Sequence, residues 1–416
     1  MYISNIVPEE VLFKLGIPKL RPQQEQVLPA VMAGKDVTVV MPTGGGKSLI
    51  FQATAIADND NGLTVVISPL KSLQKDQINH LKQKGVKAEL LNSTLSSSEH
   101  SKVLHDMCES GGLLYLAPEQ LLRDDVANAL KASNLERIVI DEAHILVEVK
   151  NDFRKAYGNI GTFISSLPDR PQVIALTATA TNKAMKKIKK SLHIVDGNDY
   201  RFPIRRENLH IYIKRISVSK RGKKKFYLQT LRFNTVEDYL SELKNGSAIV
   251  FCNTVKMTKK LYNFLKASGY SVGKYHGKMK NDKREKAQQD FISGEIKIMV
   301  ATNAFGLRID KPDIRLVIHA SAPVSMDGYI QEIGRAGRDG KKSKCILIYA
   351  ENDFSKNKLI IRSKSKKVYK RKLKNLEMLK SFVNTHECLW RFIEKYFGES
   401  KKDSCKKCCN CRLKKL

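Results

Sequence analysis

Three groups of residues in this sequence have types and spacings that could do chemistry. The first is Met41-Pro42-Thr43-Gly44-Gly45-Gly46-Lys47-Ser48. Glycines let backbone N–H groups wrap phosphates without Cβ interference, a lysine supplies a point charge to the β and γ phosphates, and a serine hydroxyl ligates Mg²⁺. Thr43, Gly44, Gly45 and Gly46 would form the cradle, with Lys47 and Ser48 in the last two roles. Met41 stands where the generic pattern begins with Gly. A flexible glycine turn, the bland alternative, has no need of Gly-Lys-Ser at a helix start. A metal held this way also needs a carboxylate from a neighbouring strand. Asp141-Glu142-Ala143-His144 follows Ile138-Val139-Ile140, at a strand end where ligands of α/β sheets collect. Asp141 would hold Mg²⁺ through a water, and Glu142 would polarise the attacking water. Two acids after a strand usually form a helix cap and first turn; beside a phosphate loop they read as catalytic.

The second group is Gln331-Glu332-Ile333-Gly334-Arg335-Ala336-Gly337-Arg338. Arg335 and Arg338 stand three apart, which on a helix places them on one face. Two guanidiniums there could stabilise charge developing on a γ-phosphate; structural salt bridges are the alternative. The third group is Cys405, Cys408 and Cys411, two residues between neighbours, with Cys388 sixteen intervening residues upstream. Four thiolates at such spacing can close a tetrahedral zinc site whose role is folding, since no open position remains. Cys409 falls out of phase, and Cys108, Cys252 and Cys345 read as small buried hydrophobes. A redox dithiol would leave the fourth cysteine unexplained.

These residues need rigid elements to hold them. Short apolar strands alternate with helical segments in two stretches, the mark of parallel α/β sheets. Val37–Met41, Leu63–Ser68, Leu113–Leu116, Ile138–Asp141 and Val173–Leu176 form one set; Ser247–Cys252, Ser271–Tyr275, Ile296–Ala301, Leu316–His319 and Cys345–Tyr349 form the other. The basic connection around Lys214–Lys225 reads as a surface loop or hairpin tip. The expected organisation is α/β: a first lobe at 1–205, a second at 206–350, and a basic helical zinc module at 351–416.

The chain has 416 residues, 42% of them hydrophobic, an ordinary value for a folded protein. No apolar run reaches the roughly 18 residues of a membrane span, and Met1–Leu12 lacks the layout of a secretory signal. Net charge is +32, and residues 341–416 carry 23 basic against 7 acidic side chains, half of that excess. A polyanion is the natural partner, because each neutralised phosphate releases counterions; a solvated lysine-rich surface is the alternative. Clustered cysteines in a large chain without a signal favour a reducing intracellular compartment and a metal.

Together and in this order, the motifs resemble superfamily-2 helicases and specifically the RecQ family, from about residue 15 to the end. The resemblance implies two RecA-like lobes, ATP, Mg²⁺ and Zn²⁺ as cofactors, DNA as the track, and 3′-to-5′ movement that unwinds duplexes. Arg21-Pro22-Gln23-Gln24 resembles the adenine motif, so Arg21 and Gln24 join the ATP-binding residues, and the form beginning with Met41 is the family's own. Ser68-Pro69-Leu70-Lys71-Ser72-Leu73 and Ala117-Pro118-Glu119 resemble DNA-backbone motifs, implying contacts at Pro69, Leu70, Ser72 and Pro118. In the second lobe, Asn253, His276, Thr302 and Asn303 fall in matching motifs and are implied DNA contacts. Thr177 and Thr179, with Gln331, would couple hydrolysis to movement.

The sequence departs from the family in three places. Where the family carries an aromatic-rich loop with Trp, Gly and His, this chain has Val149, Lys150 and Asn151, while Phe153 and Arg154 remain as DNA contacts. Stacking on the missing Trp is lost. Arg308 replaces a usual Gly, and the winged-helix and HRDC-type modules that often follow zinc are not seen. Lys220–Lys225 and Lys364–Lys374 are therefore expected to supply duplex grip. A monomer is expected. The competing functions are a DNA-stimulated translocase or annealing remodeller, a binding protein with a vestigial ATPase, and an RNA helicase. Intact Lys47, Asp141, Glu142, Arg335 and Arg338 oppose the vestigial form, and the zinc tail opposes RNA.

Overall fold

The computed structural model describes residues 6–57, 61–69, 71–92, 95–147, 156–217, 224–305, 311–399 and 403–413. Two compact units divide between Pro203 and Ile204. The first is built on seven parallel strands: β1 Val37–Val40, β2 Leu63–Ile67, β3 Ala88–Leu91, β4 Gly112–Leu116, β5 Leu135–Ile140, β6 Gln172–Thr177 and β7 Asn198–Arg201, in the order β3-β4-β2-β5-β6-β1-β7. Crossover helices cover both faces, so strand residues of either parity are apolar. Val39, Val139 and Ile174 enter one core, while Ile138, Ile140 and Val173 enter the other.

The order fixes the site. β2, β5, β6 and β1 are successive neighbours, so whatever follows each strand stands in one row along the sheet's C-terminal edge. The ladder closes that row: Met41 N donates to Thr177 O at 3.0 Å and Asp141 N to Ile67 O at 2.9 Å.

The second unit has six parallel strands: β8 Leu209–Arg215, β9 Ser247–Phe251, β10 Val272–Tyr275, β11 Ile298–Ala301, β12 Ile314–His319 and β13 Ser343–Tyr349, ordered β10-β11-β9-β12-β13-β8. One face packs on a core holding Ala248, Val250, Ile318 and Ile346. The other shares its core with the C-terminal segment, which contributes Leu376, Phe382, Trp390, Ile393 and all four expected zinc ligands. Trp390 Nε1 donates to Leu209 O at 3.1 Å, and Arg205 pairs with fully buried Glu394 at 2.7 Å. A buried Arg232–Asp353 pair, at 2.9 and 3.0 Å, joins the helix Lys224–Ser241 to Glu351–Ile360. Asp353 also accepts from Ala350 N and Ala322 N, so the charges are compensated.

All ten expected strands are present, and the structure adds β3, β7 and β8. The basic connection is corrected: Lys214 and Arg215 end β8, and Lys224 and Lys225 open a helix. Lys220 to Lys223 lie outside the described residues. The lysines disguised both elements because an edge strand and a helix face can be basic on their solvent side.

Candidate nucleotide and nucleic-acid sites

The phosphate loop joins β1 directly to the helix Lys47–Ala57, the strand–loop–helix arrangement its chemistry requires. Gly46 has φ +85°, and a Cβ there would collide with the amide of Gln24. That close approach is used: Gln24 Nε2 donates to Gly46 O at 3.0 Å, and the Arg21 guanidinium donates to Gly44 O. Gln24 is held in turn by Arg21 N, which donates to its Oε1 at 2.8 Å. The expected adenine residues and the expected phosphate loop thus form one hydrogen-bonded body. Met41 is fully buried, anchoring the loop in the core, and Lys47 Nζ donates to its carbonyl at 3.1 Å.

Asp141 and Glu142 follow β5 as expected. Burial first, then the neighbouring Glu142 charge, pushes the Asp141 carboxyl up to about 6, against the opposing pull of Lys47 and the Glu142 N–H. Two crowded carboxylates in the field of Lys47, with Ser48 following it at the helix start on the same sheet edge, suit a hydrated divalent cation, so the residues fit Mg²⁺. Two residues inside the sequence motifs, His144 and Ser68, also join the site. His144 Nδ1 lies 3.2 Å from Glu142 Oε2 and 3.0 Å from Thr177 Oγ1. Thr179 N donates to that same oxygen at 3.3 Å. Ser68 Oγ donates to Asp141 Oδ2 at 3.4 Å. A polar chain therefore runs from Glu142 through His144 to Thr177 and Thr179.

In the second unit, β10, β11 and β9 are adjacent, so His276, Thr302, Asn303 and Asn253 gather at one sheet edge. Thr302 N donates to Tyr275 O at 3.1 Å. His276 is 3% exposed, and neither ring nitrogen has a hydrogen-bond partner among the described residues. Burial, followed by Lys259, lowers its pKa and keeps the ring neutral. Asn253 Nδ2 donates to Ala322 O at 2.6 Å and to Asn357 Oδ1 at 2.9 Å.

The arginine segment needs correction. The helix Met326–Ile333 ends at the Gly334 cap, and Arg335 and Arg338 occupy turns beyond it, so shared helical facing does not relate them. Gly337, at φ +54°, keeps the chain out of helix beyond that cap. Its carbonyl accepts from Arg206 and, at 2.8 Å, from Asn208, and Arg206 also donates to Gly334 O at 2.8 Å. Backbone capture by two β8-flanking side chains replaces the helix. Arg335 is buried and Arg338 half-buried.

Cys388, Cys405, Cys408 and Cys411 are buried with sulfurs within 4.8 Å of one another, and Cys405 Sγ and Cys411 Sγ are 3.9 Å apart. Sulfurs about 2.3 Å from a common zinc stand roughly 3.8 Å apart, so the set fits. Backbone N–H groups already face the sulfurs, Cys405 N to Cys388 Sγ at 3.2 Å and Cys408 N to Cys405 Sγ at 3.3 Å. Hydrogen bonds from the neighbouring thiols pull Cys388 toward the thiolate, and the bond to Cys388 pushes Cys405 up to about 11. A cation among the thiols would let all four ionise. Cys409 stays outside the cluster, Cys252 and Cys345 are buried, and Cys108 is only half-buried.

Three family models cover most of the chain: DEAD/DEAH box helicase at residues 21–188, helicase conserved C-terminal domain at 231–340 and RecQ zinc-binding at 351–412. The ATP-dependent DNA helicase RecQ of Bacillus subtilis is 37% identical over 399 residues, 95% of this chain and 65% of that protein. The Haemophilus influenzae protein of the same name is 33% identical over 403 residues, covering 95% and 62%. A protein of Acanthamoeba polyphaga mimivirus, provisionally named an ATP-dependent RNA helicase, is 34% identical over 400 residues, covering 95% and 70%.

The chain belongs to the RecQ family of helicases.

It spans about two thirds of the length of the curated RecQ relatives it matches. Solved structures support the fold alone: yeast Dbp5 bound to RNA and ADP BeF3 has a TM-score of 0.66 at 18% identity, covering 94% of this chain and 91% of that one. The helicase MrfA bound to DNA has a TM-score of 0.69 at 16% identity, covering 94% and 55%. Of the RecQ residues expected at DNA, Leu70, Phe153 and Arg154, like Val149, Lys150, Asn151 and Arg308, lie outside the described residues, and so does the Ser72 side chain. Pro69 is half-buried after β2, and Pro118 is buried at the start of a 3-10 turn. Contact with a strand at Pro118 would run through backbone atoms rather than its ring.

Proposed function

We infer that this RecQ-family chain is an ATP-dependent DNA helicase that moves 3′ to 5′ on single-stranded DNA and unwinds the duplex ahead. The observation that carries this is the C-terminal edge of the first sheet, where the phosphate loop, the Asp141–Glu142 pair and the His144–Thr177 link stand side by side. Gln24 and Arg21 select and orient the base, and the loop amides and Lys47 neutralise the phosphates. Ser48 and Asp141 would hold Mg²⁺, which when bound offsets charge on the β and γ oxygens. Glu142 orients the attacking water and takes its proton. Arg335 and Arg338 are the candidates for transition-state cations, and Gln331 takes part in coupling. His144 reports the state of Glu142 to Thr177 and Thr179.

The strand is taken up at Pro69, Leu70, Ser72 and Pro118, by Phe153 and Arg154, and at the second edge formed by Asn253, His276, Thr302 and Asn303. A neutral His276, its ring nitrogens buried and without a partner among the described residues, would have to turn its N–H outward to donate to a phosphate. Zinc at Cys388, Cys405, Cys408 and Cys411 stabilises the second unit. A monomer in an intracellular, reducing compartment completes the reading. The reducing compartment is supported by eight cysteines that all remain free thiols.

The deciding measurement is ATP hydrolysis with and without single-stranded DNA, using Lys47→Ala as the blank. Stimulation by DNA, lost in the variant, supports the reading, and unwinding of 3′-tailed duplexes is then expected. Hydrolysis indifferent to DNA would overturn it. The mimivirus relative's name makes RNA the second candidate track; stimulation by RNA exceeding that by DNA would transfer the assignment.

A further inference from the structure

The helix Lys71–Gln83 begins immediately after Pro69 and Leu70, in the segment proposed to meet the DNA strand. Its inward face carries two glutamines three residues apart, as neighbours on a helix must be to face one way. Gln74 is 1% exposed, and its Nε2 donates to Ser68 O and Leu116 O, both at 3.1 Å. These carbonyls lie at the ends of β2 and β4, so Gln74 pins the first turn of the helix to the sheet edge. One turn further, Gln77 Nε2 donates to Ser48 Oγ at 2.8 Å. The helix at the strand contact thus ends a hydrogen bond on the hydroxyl that would ligate Mg²⁺.

We propose that Gln77 is a positioning residue for Ser48, and that through it the helix Lys71–Gln83 transmits DNA occupancy to the metal site. A serine hydroxyl has two lone pairs and one proton. The Gln77 amide occupies one lone pair and fixes the rotamer, leaving the other to meet the cation. DNA seating at Pro69, just ahead of the helix start, would shift the helix as a rigid body, move Gln77 and reorient Ser48. This role for Gln77 rests on the ATPase reading above.

The test uses the full chain, a fluorescent non-hydrolysable ATP analogue and Mg²⁺ titrations with and without a single-stranded oligonucleotide. Partners that orient a metal ligand change metal affinity by roughly 10–100-fold when removed. In Gln77→Met, which keeps length and loses the amide, half-saturating Mg²⁺ is expected to rise about tenfold, and its dependence on the oligonucleotide is expected to disappear. Gln77→Asn, which keeps a shorter amide, should recover part of the affinity. Half-saturation unchanged in Gln77→Met would overturn the proposal. Equal weakening of analogue binding in EDTA would also overturn it, because a merely structural role damages the pocket without regard to metal. If the wild-type chain bound no analogue, the ATPase reading would fail first and this proposal with it.

Discussion

Glu142 has φ +52°, in the left-handed region that a glutamate enters only at a cost. Such backbone strain persists where surrounding contacts over-determine it, and here they do. Glu142 N donates to Asp141 Oδ1 at 2.9 Å, and Glu142 Oε2 faces His144. The strained turn swings the second carboxylate away from the strand direction, so adjacent residues serve different roles. Asp141 Oδ2 faces Ser68 Oγ, and Glu142 faces the link to Thr177. Glu142→Gln should therefore slow single-turnover hydrolysis roughly 10²–10⁴-fold, the usual worth of a positioned base. Binding of a non-hydrolysable analogue should persist, since the phosphate contacts are made elsewhere. Equal loss of binding and hydrolysis would instead assign Glu142 to the cradle.

At the scale of elements, the helix Lys366–Val383 separates packing from charge. Val368, Leu376, Leu379 and Phe382 are buried, while Lys366, Lys367, Lys370 and Lys374 are exposed on the opposite side. Ser365 caps it by accepting from Val368 N, yet its first turn carries lysines and no acid, against the helix dipole. A placement that opposes local stability suits a polyanion better than it suits the helix. Reversing these four lysines to glutamate should flatten the dependence of log K for DNA on log salt, by up to about 0.9 for each lost phosphate contact. The helix itself should be no less stable by circular dichroism. An unchanged slope would return these lysines to the solvated surface. The same scale shows what the sequence could and could not tell. Buried strands such as Ile138–Ile140 are continuous apolar runs and were legible. The edge strands β3, β7 and β8 were not, because residues such as Glu89, Asp199 and Lys214 interrupt the pattern where one side meets solvent. The site residues were legible as motifs with local chemistry. Gln77 on Ser48 and Arg206 on the arginine turns were not, being single side chains that reach across 29 and 128 residues.

For the whole molecule, the two units have separate cores and, on the proposed reading, different ligands, so heat should separate them. In the first, the core converges on the phosphate loop. In the second, the four clustered cysteines are part of the same core as Leu347, Tyr329 and Trp390, so a metal held there would support the sheet as well as the cysteine segment. Two calorimetric transitions are expected. Mg²⁺ and a non-hydrolysable nucleotide at 100 times the dissociation constant should stabilise the first unit by about 2.7 kcal/mol, raising its transition by roughly 5–10 °C for a unit of this size. Chelation of zinc, or Cys408→Ser, should lower the second transition and leave the first in place, because metal binding and folding are one equilibrium in such sites. Arg205 bears on the same point, since it ties buried Glu394 and the Asp403 carbonyl to the segment preceding β8. Loosening the cysteine segment therefore releases a buried carboxylate as well as the metal. A single transition that nucleotide and chelator move together would mean that the units unfold as one body, and the division of labour between the two cores would be wrong.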